Sequence, residues 1–187
     1  GDWSSDVCSS DLNCVASQAT AGYFTTVSAN IAPATTSYAV SGLTNGTTYY
    51  FRLRPVTAAT TSANQLSSAV VVSALPFTGP GVVTDLTATA ANTGNVALSW
   101  TAPTATGGSA ITGYRIEICN SSCSSGGTYS VLVASQAGTT YTVNTGTSGL
   151  VNGTATTFRV TALNALAAGT SAITVAVPFT QIGRAHV

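Results

Sequence analysis

The chain has 187 residues, 44% of them apolar, and carries five basic and five acidic side chains, so its formal charge is zero. That length suits one or two domains with a real core. The missing basic excess excludes a nucleic-acid footprint, and no apolar run reaches the roughly 18 residues that a membrane helix needs.

Thr, Ser, Ala, Gly and Val dominate while Met and Lys do not occur, a composition that points to strands with polar but uncharged faces. At the start, Asp2 to Leu12 reads DWSSDVCSSDL; at the end, Ile182 to Val187 reads IGRAHV. Both strings resemble translated short-read sequencing adapters, with Gly1 and Gln181 spanning the junctions. Residues 1–12 and 181–187 are therefore set aside as adapter sequence before the fold is read. Residues 13–180 keep Arg52, Arg54, Arg115 and Arg159 against Asp85 and Glu117, with no histidine. A gene cut at both ends is expected, so a signal peptide or anchor is not to be sought in this stretch.

Next in chain order comes Gly42-Leu43-Thr44-Asn45-Gly46-Thr47, then Tyr49 and Phe51-Arg52-Leu53, then an apolar run from Ala69 to Leu75. Pro76-Phe77-Thr78 follows, and with Gly79-Pro80-Gly81 it breaks any strand and supplies little core, as a connector over 76–80 requires. Beyond it, Leu86 to Ala90 reads as a strand. Val96, Leu98 and Trp100 alternate with polar or small residues, as do Tyr114, Ile116 and Ile118, and later Thr156, Phe158 and Val160. Tyr129 to Val133, Tyr141 to Val143 and Ile173 to Val177 supply three more strands. Period two throughout, with turn residues at Asn92 to Asn95, Gly107-Gly108 and Asn152-Gly153, predicts about seven short strands and no helix. An all-β sandwich is the architecture that satisfies that pattern.

The pattern also repeats. Gly42 to Thr47 recurs as Gly149-Leu150-Val151-Asn152-Gly153-Thr154, Phe51-Arg52-Leu53 as Phe158-Arg159-Val160, and Pro76-Phe77-Thr78 as Pro178-Phe179-Thr180. A unit of about 100 residues is too long for a solenoid repeat and suits a bead on a string.

These motifs resemble those of bacterial fibronectin type III domains. The likeness rests on Leu86, on Val96-Ala97-Leu98-Ser99-Trp100-Thr101-Ala102-Pro103, on Gly107 to Tyr114, on the Gly149-Leu150 corner and on Phe158-Arg159-Val160. It implies tandem immunoglobulin-like sandwiches: a complete domain over 81–177 and a truncated one over 13–75, with 178–180 opening the next linker. Trp100, Tyr114, Leu150 and Phe158 are expected in the core of the complete copy, Tyr49 and Phe51 in that of the other. Tyr23 aligns with Tyr129, so the first copy should lack its first three strands, including the Trp-bearing one, and show an open apolar face and an unpaired edge. The family usually carries an aromatic two residues before Phe158. Thr156 stands there, whereas Tyr49 precedes Phe51, so the corner hydrogen bond of a buried tyrosine is available only in the first copy.

Chemistry is sparse. General acid-base catalysis needs titratable groups held together, and Asp85 and Glu117 fall on different strands, where solvated carboxylates are expected. Serines lack a base to activate them. Cys119 and Cys123, at a strand exit into a Ser/Gly-rich loop, admit a small disulfide, two free thiols or metal ligation, although zinc would need two further ligands. A disulfide would imply an oxidising compartment. Cys14 is the counterpart in the first copy. Asn45, Asn120 and Asn152 each head an N-glycosylation pattern, but the two Asn-Gly pairs are also good turn chemistry. Arg52 and Arg159 are expected to point outward with Thr157 and Glu117, and Glu117 to pair with Arg115 or Arg159 for less than about 1 kcal/mol.

The sequence therefore reads as part of a secreted or surface-attached bacterial protein, a non-catalytic spacer or adhesive module without cofactor. Its partners are neighbouring domains of the same chain and, beyond them, a polysaccharide or cell-surface protein; nucleic acid and membrane insertion are not expected. The alternative is an accessory, carbohydrate-contacting domain of an extracellular polysaccharide-degrading enzyme. Exposed aromatics in a row on one sheet would favour it.

Overall fold

The computed structural model describes residues 2–9, 24–56, 69–120, 123 and 127–181. The chain divides between Phe77 and Thr78 into two units.

In the first unit the strands are β1 (Asp2–Ser9), β2 (Thr25–Ile31), β3 (Tyr49–Val56) and β4 (Val70–Ala74). They form one antiparallel sheet in the order β2-β1-β3-β4. Register sets Phe51 opposite Val72 and Leu53 opposite Val70, so aromatic and β-branched residues share one face. That face is open: Val70 and Val72 are 64% and 58% exposed. Phe51 and Tyr49 are half-buried, not the core residues expected from the sequence, because this unit has no second sheet among the described residues to cover them.

Strand β1 departs from expectation. The stretch resembling adapter sequence pairs along its whole length with β3, from Asp2 opposite Val56 to Ser9 opposite Tyr49, so the edge expected to be unpaired is filled. A backbone ladder asks only for N–H and C=O groups at the right spacing, and an open edge accepts a strand with little regard to its side chains.

The second unit begins with β5 (Thr84–Ala90), β6 (Val96–Thr101), β7 (Ile111–Cys119), β8 (Ser130–Gln136) and β9 (Thr140–Val143). After these come the single turn α1 (Thr145–Ser148), β10 (Thr156–Asn164) and β11 (Ala168–Ala176). Two antiparallel sheets result, β5-β6-β9 and β11-β10-β7-β8. Strand β6 alternates buried and exposed along its length, as its sequence predicts. Val96, Leu98 and Trp100 of the smaller sheet pack with Tyr114, Ile116, Ile118, Phe158 and Val160 of the larger, and Leu150 closes one side. Trp100 meets Tyr114 edge-on at 5.3 Å, the geometry that aromatic quadrupoles favour. Desolvation in this core raises the pKa of the Tyr114 hydroxyl.

Two further features differ from the sequence reading. Helix α1 is real but spans one turn, too short for a 3.6-residue period to register; Gly149 ends it at φ 69°, and Ser148 Oγ donates to the Asn144 carbonyl at 2.6 Å. The residues read as a connector with little core are also partly structural, since Pro80 is buried and Pro178 is fully so.

The tyrosine corner is present where the sequence placed it. Thr44 N–H donates to the Tyr49 hydroxyl at 3.0 Å, and in the second unit Thr156, wholly buried, stands in the equivalent place. Around these corners the backbones match: Gly42 and Gly149 lie at φ 77° and 69°, Gly46 and Gly153 both at 79°.

Candidate functional site

The larger sheet of the second unit carries a charged cluster on its outer face. Strand register sets Arg159 of β10 opposite Glu117 of β7, and antiparallel partners point to the same side. Arg159 Nε donates to Glu117 Oε2 and its second terminal nitrogen to Oε1, each at 2.7 Å, a bidentate fork. Arg115 lies 3.4 Å from Oε2, close enough for ion pairing but without hydrogen-bond alignment. The Arg159 guanidinium also stacks 4.0 Å above the Tyr129 ring. Glu117 is thereby buried, at 4% exposure, as is Thr157.

This corrects the expectation of a solvated carboxylate on an exposed sheet face. Burial follows from the long Arg159 and Arg115 side chains, which lie against the carboxylate and keep water away, Arg159 being backed by the Tyr129 ring. The hydrogen bonds from Arg159 hold the Glu117 carboxyl below the usual carboxylate range, against the opposing effect of burial; the charges of Arg159 and Arg115 add to the lowering. Arg159 is correspondingly raised by the same hydrogen bonds.

As chemistry, the cluster is closed. Both oxygens of Glu117 are taken by Arg159, so it neither gives up nor accepts a proton near neutrality. Asp85 belongs to β5 in the other sheet, where it accepts from Thr84 Oγ1 at 3.2 Å. The two carboxylates are not brought together. Among the described residues no group of three or more His, Cys, Asp or Glu side chains could hold a metal ion. The Cys119 and Cys123 sulfurs are in bonding contact, with Cα atoms 6.2 Å apart, inside the range a disulfide spans. Cys14 and Tyr23 lie outside the described residues.

Apart from the half-exposed Phe179, the aromatic side chains described in the second unit are used internally. Trp100, Tyr114 and Phe158 are in the core, Tyr141 packs against it, and Tyr129 lies under Arg159. In the first unit Arg52 lies 4.2 Å above Phe24 in the same manner; neither arginine stands free in solvent. Of the asparagines that head glycosylation patterns, Asn120 donates to the Gly149 carbonyl and Asn152 to Thr180 Oγ1.

Asn164 was not evident from the sequence. Only 7% exposed, it donates from Nδ2 to the carbonyls of Thr78 and Thr106, at 3.1 and 2.9 Å, and accepts at Oδ1 from the N–H groups of Leu166 and Ala167, at 2.9 and 2.7 Å. It joins three separate stretches of chain. The sequence signal was one polar residue ending an apolar strand, too common to single out.

Two antiparallel sheets packed face to face over a single core define an immunoglobulin-like β-sandwich. The family model of the fibronectin type III domain matches residues 81–177, and the chain belongs to that family. Among solved structures it is similar to a two-domain fibronectin type III segment of chicken tenascin, at 16% identity and TM-score 0.47, covering 95% of this chain and 84% of that one. It is also similar to titin kinase with its flanking domains, at 25% identity and TM-score 0.44, covering 54% and 17%, and to the twitchin kinase region of C. elegans, at 25% and 0.46, covering 57% and 18%. The chain thus spans under a fifth of the titin kinase structure. Domains of this family are generally non-catalytic and are commonly extracellular. Among the described residues no helix is long and apolar enough to cross a membrane.

Proposed function

We propose that the chain is a stretch of tandem fibronectin type III copies, one complete and one truncated, which serves a larger secreted or cell-surface bacterial protein as a non-catalytic spacer or adhesive module. The observation that carries this reading lies on the larger sheet, where the one carboxylate is bound in both oxygens by Arg159 and the aromatic side chains are engaged. The matching backbone at Gly42 to Gly46 and Gly149 to Gly153 supports tandem copies. The bonding contact between Cys119 and Cys123 suits an oxidising compartment. In such an array one copy binds weakly and affinity comes from multivalency.

The test is to present the full chain with a polysaccharide panel and follow hydrolysis and binding. No turnover and weak, non-saturating binding are expected. Turnover that disappears in Glu117→Gln would overturn the non-catalytic reading, and tight saturable binding would replace the spacer by a carbohydrate-contacting domain.

A further inference from the structure

Pro-Phe-Thr occurs at 76–78 and again at 178–180. In each unit the carbonyl of its proline accepts a hydrogen bond from the glycine of that unit's own Asn-Gly corner: Gly46 N–H to Pro76 O at 2.9 Å, Gly153 N–H to Pro178 O at 2.8 Å. Both glycines sit at φ 79°, a left-handed conformation costly for any other residue except asparagine or aspartate, and this turns the N–H toward the connector. The second unit shows how much further the hold extends. Gly94 N–H donates to Phe179 O at 2.8 Å, Thr93 and Thr180 form an antiparallel bridge, and Gln181 N–H donates to Asn92 O at 3.1 Å. Asn152 Nδ2 reaches Thr180 Oγ1 at 3.2 Å, and Pro178 is fully buried.

We propose that Pro-Phe-Thr is a latch: each copy grips the chain that leaves it with its own Asn-Gly corner, so the chain departs from a fixed point instead of from a loose tether. Proline suits the first position because it has no N–H to satisfy when buried and its φ is already fixed. Phe179 holds its backbone in place while its side chain stays half-exposed. Use of the latch to keep spacing constant rests on the spacer reading above; the latch itself does not. Enzymatic turnover would overturn that reading and leave the latch intact, whereas a loose connector would overturn the latch alone.

The experiment uses the full chain. Chymotrypsin cleaves after exposed Phe only where the backbone can leave its hydrogen bonds, so cleavage after Phe179 should be slow and the Gly153 and Gly94 amides protected from exchange by about tenfold or more. In Gly94→Ala the added Cβ would meet Thr145 Cγ2 at 2.8 Å, Asn152 Oδ1 at 3.0 Å and Thr180 Cγ2 at 3.3 Å, at φ 81°. That variant should release the latch, with cleavage and Gly153 exchange about tenfold faster while the amides of Phe158 and Val160 keep their protection. Absence of protection in the unmodified chain, or an unchanged cleavage rate in a folded Gly94→Ala, overturns the proposal. Should Gly94→Ala lose the core amides, Asn152→Ala decides: faster cleavage supports the latch and an unchanged rate overturns it.

Discussion

Arg159 holds Glu117 by two parallel hydrogen bonds of 2.7 Å across adjacent strands, and the carboxylate so held is almost wholly removed from water. A surface ion pair would contribute little; here, removing Glu117 leaves Arg159 partly desolvated and without its anion. Glu117→Gln, whose amide can satisfy only part of the fork, should destabilise the second unit by about 1–3 kcal/mol at neutral pH. Arg159 is about a third exposed and Arg115 slightly more, which keeps the figure below that of a fully buried pair. The folded pKa of Glu117 lies below its unfolded value. Its contribution is therefore complete above the unfolded carboxylate pKa and lost as pH falls through the folded one. Urea unfolding across that range should show a slope in the unmodified chain that is smaller in Glu117→Gln; equal slopes would mean the pair contributes nothing.

Trp100 is the centre of the sandwich, 4% exposed and edge-on to Tyr114. Trp100→Ala should cost roughly 3–5 kcal/mol. Its Nε1 is buried without a hydrogen-bond partner, so Trp100→Phe gives up packing volume but no hydrogen bond and relieves an unmatched donor. Its loss should be about 1–2 kcal/mol, well below that of alanine. Denaturant titration of both variants checks the order, and a Phe variant as unstable as the Ala variant would show that the indole nitrogen has a partner after all.

What the sequence revealed and what it concealed divide along physical lines. The alternation of Val96, Leu98 and Trp100 announces one buried face, because strand period two maps directly onto the two sides of a sheet. Tyr49 announced its corner, since the hydroxyl finds a backbone N–H only five residues away. Glu117 takes the outer face and the arginine partners that its sequence position predicts, but not the exposure: alternation tells which face a residue takes, not that Arg159, 42 residues further on, would close over the carboxylate. Asn164 was missed for the same reason, as its four partners come from separate stretches. Strand β1 was concealed because backbone pairing carries no side-chain signature.

Cys119 and Cys123 should form a disulfide in protein exported to an oxidising compartment. The ring closes over few residues, so it restricts the unfolded chain modestly, and reduction should cost less than the roughly 3 kcal/mol typical of a longer loop. Alkylation without reductant, followed by peptide mapping by mass spectrometry, tests this: Cys119 and Cys123 should stay unmodified, and label on both would count against it.

Two variants separate the two halves of the Asn164 amide. Its Nδ2 donates to two carbonyls, and its Oδ1 accepts from two backbone N–H groups. Asn164→Ala removes all four bonds and should cost about 2–4 kcal/mol, the backbone groups of Thr78, Thr106, Leu166 and Ala167 being left to whatever water can reach them. Asn164→Asp retains the acceptor for Leu166 and Ala167 but sets an anionic oxygen against the carbonyls of Thr78 and Thr106. Burial and those carbonyls oppose ionisation, and the N–H groups of Leu166 and Ala167 do not offset them, since the carbonyl oxygen of the neutral carboxyl accepts both as well; the folded pKa of the new carboxyl is therefore raised. A raised folded pKa means that the protonated form is the better fit: the damage should be greatest at neutral pH and shrink as pH falls through the folded pKa, when the O–H can donate to one carbonyl. Unfolding both variants at neutral and mildly acid pH decides. The alanine variant should show little change in its deficit with pH, and a deficit in Asn164→Asp that is equally flat would mean that Nδ2 does not face the two carbonyls.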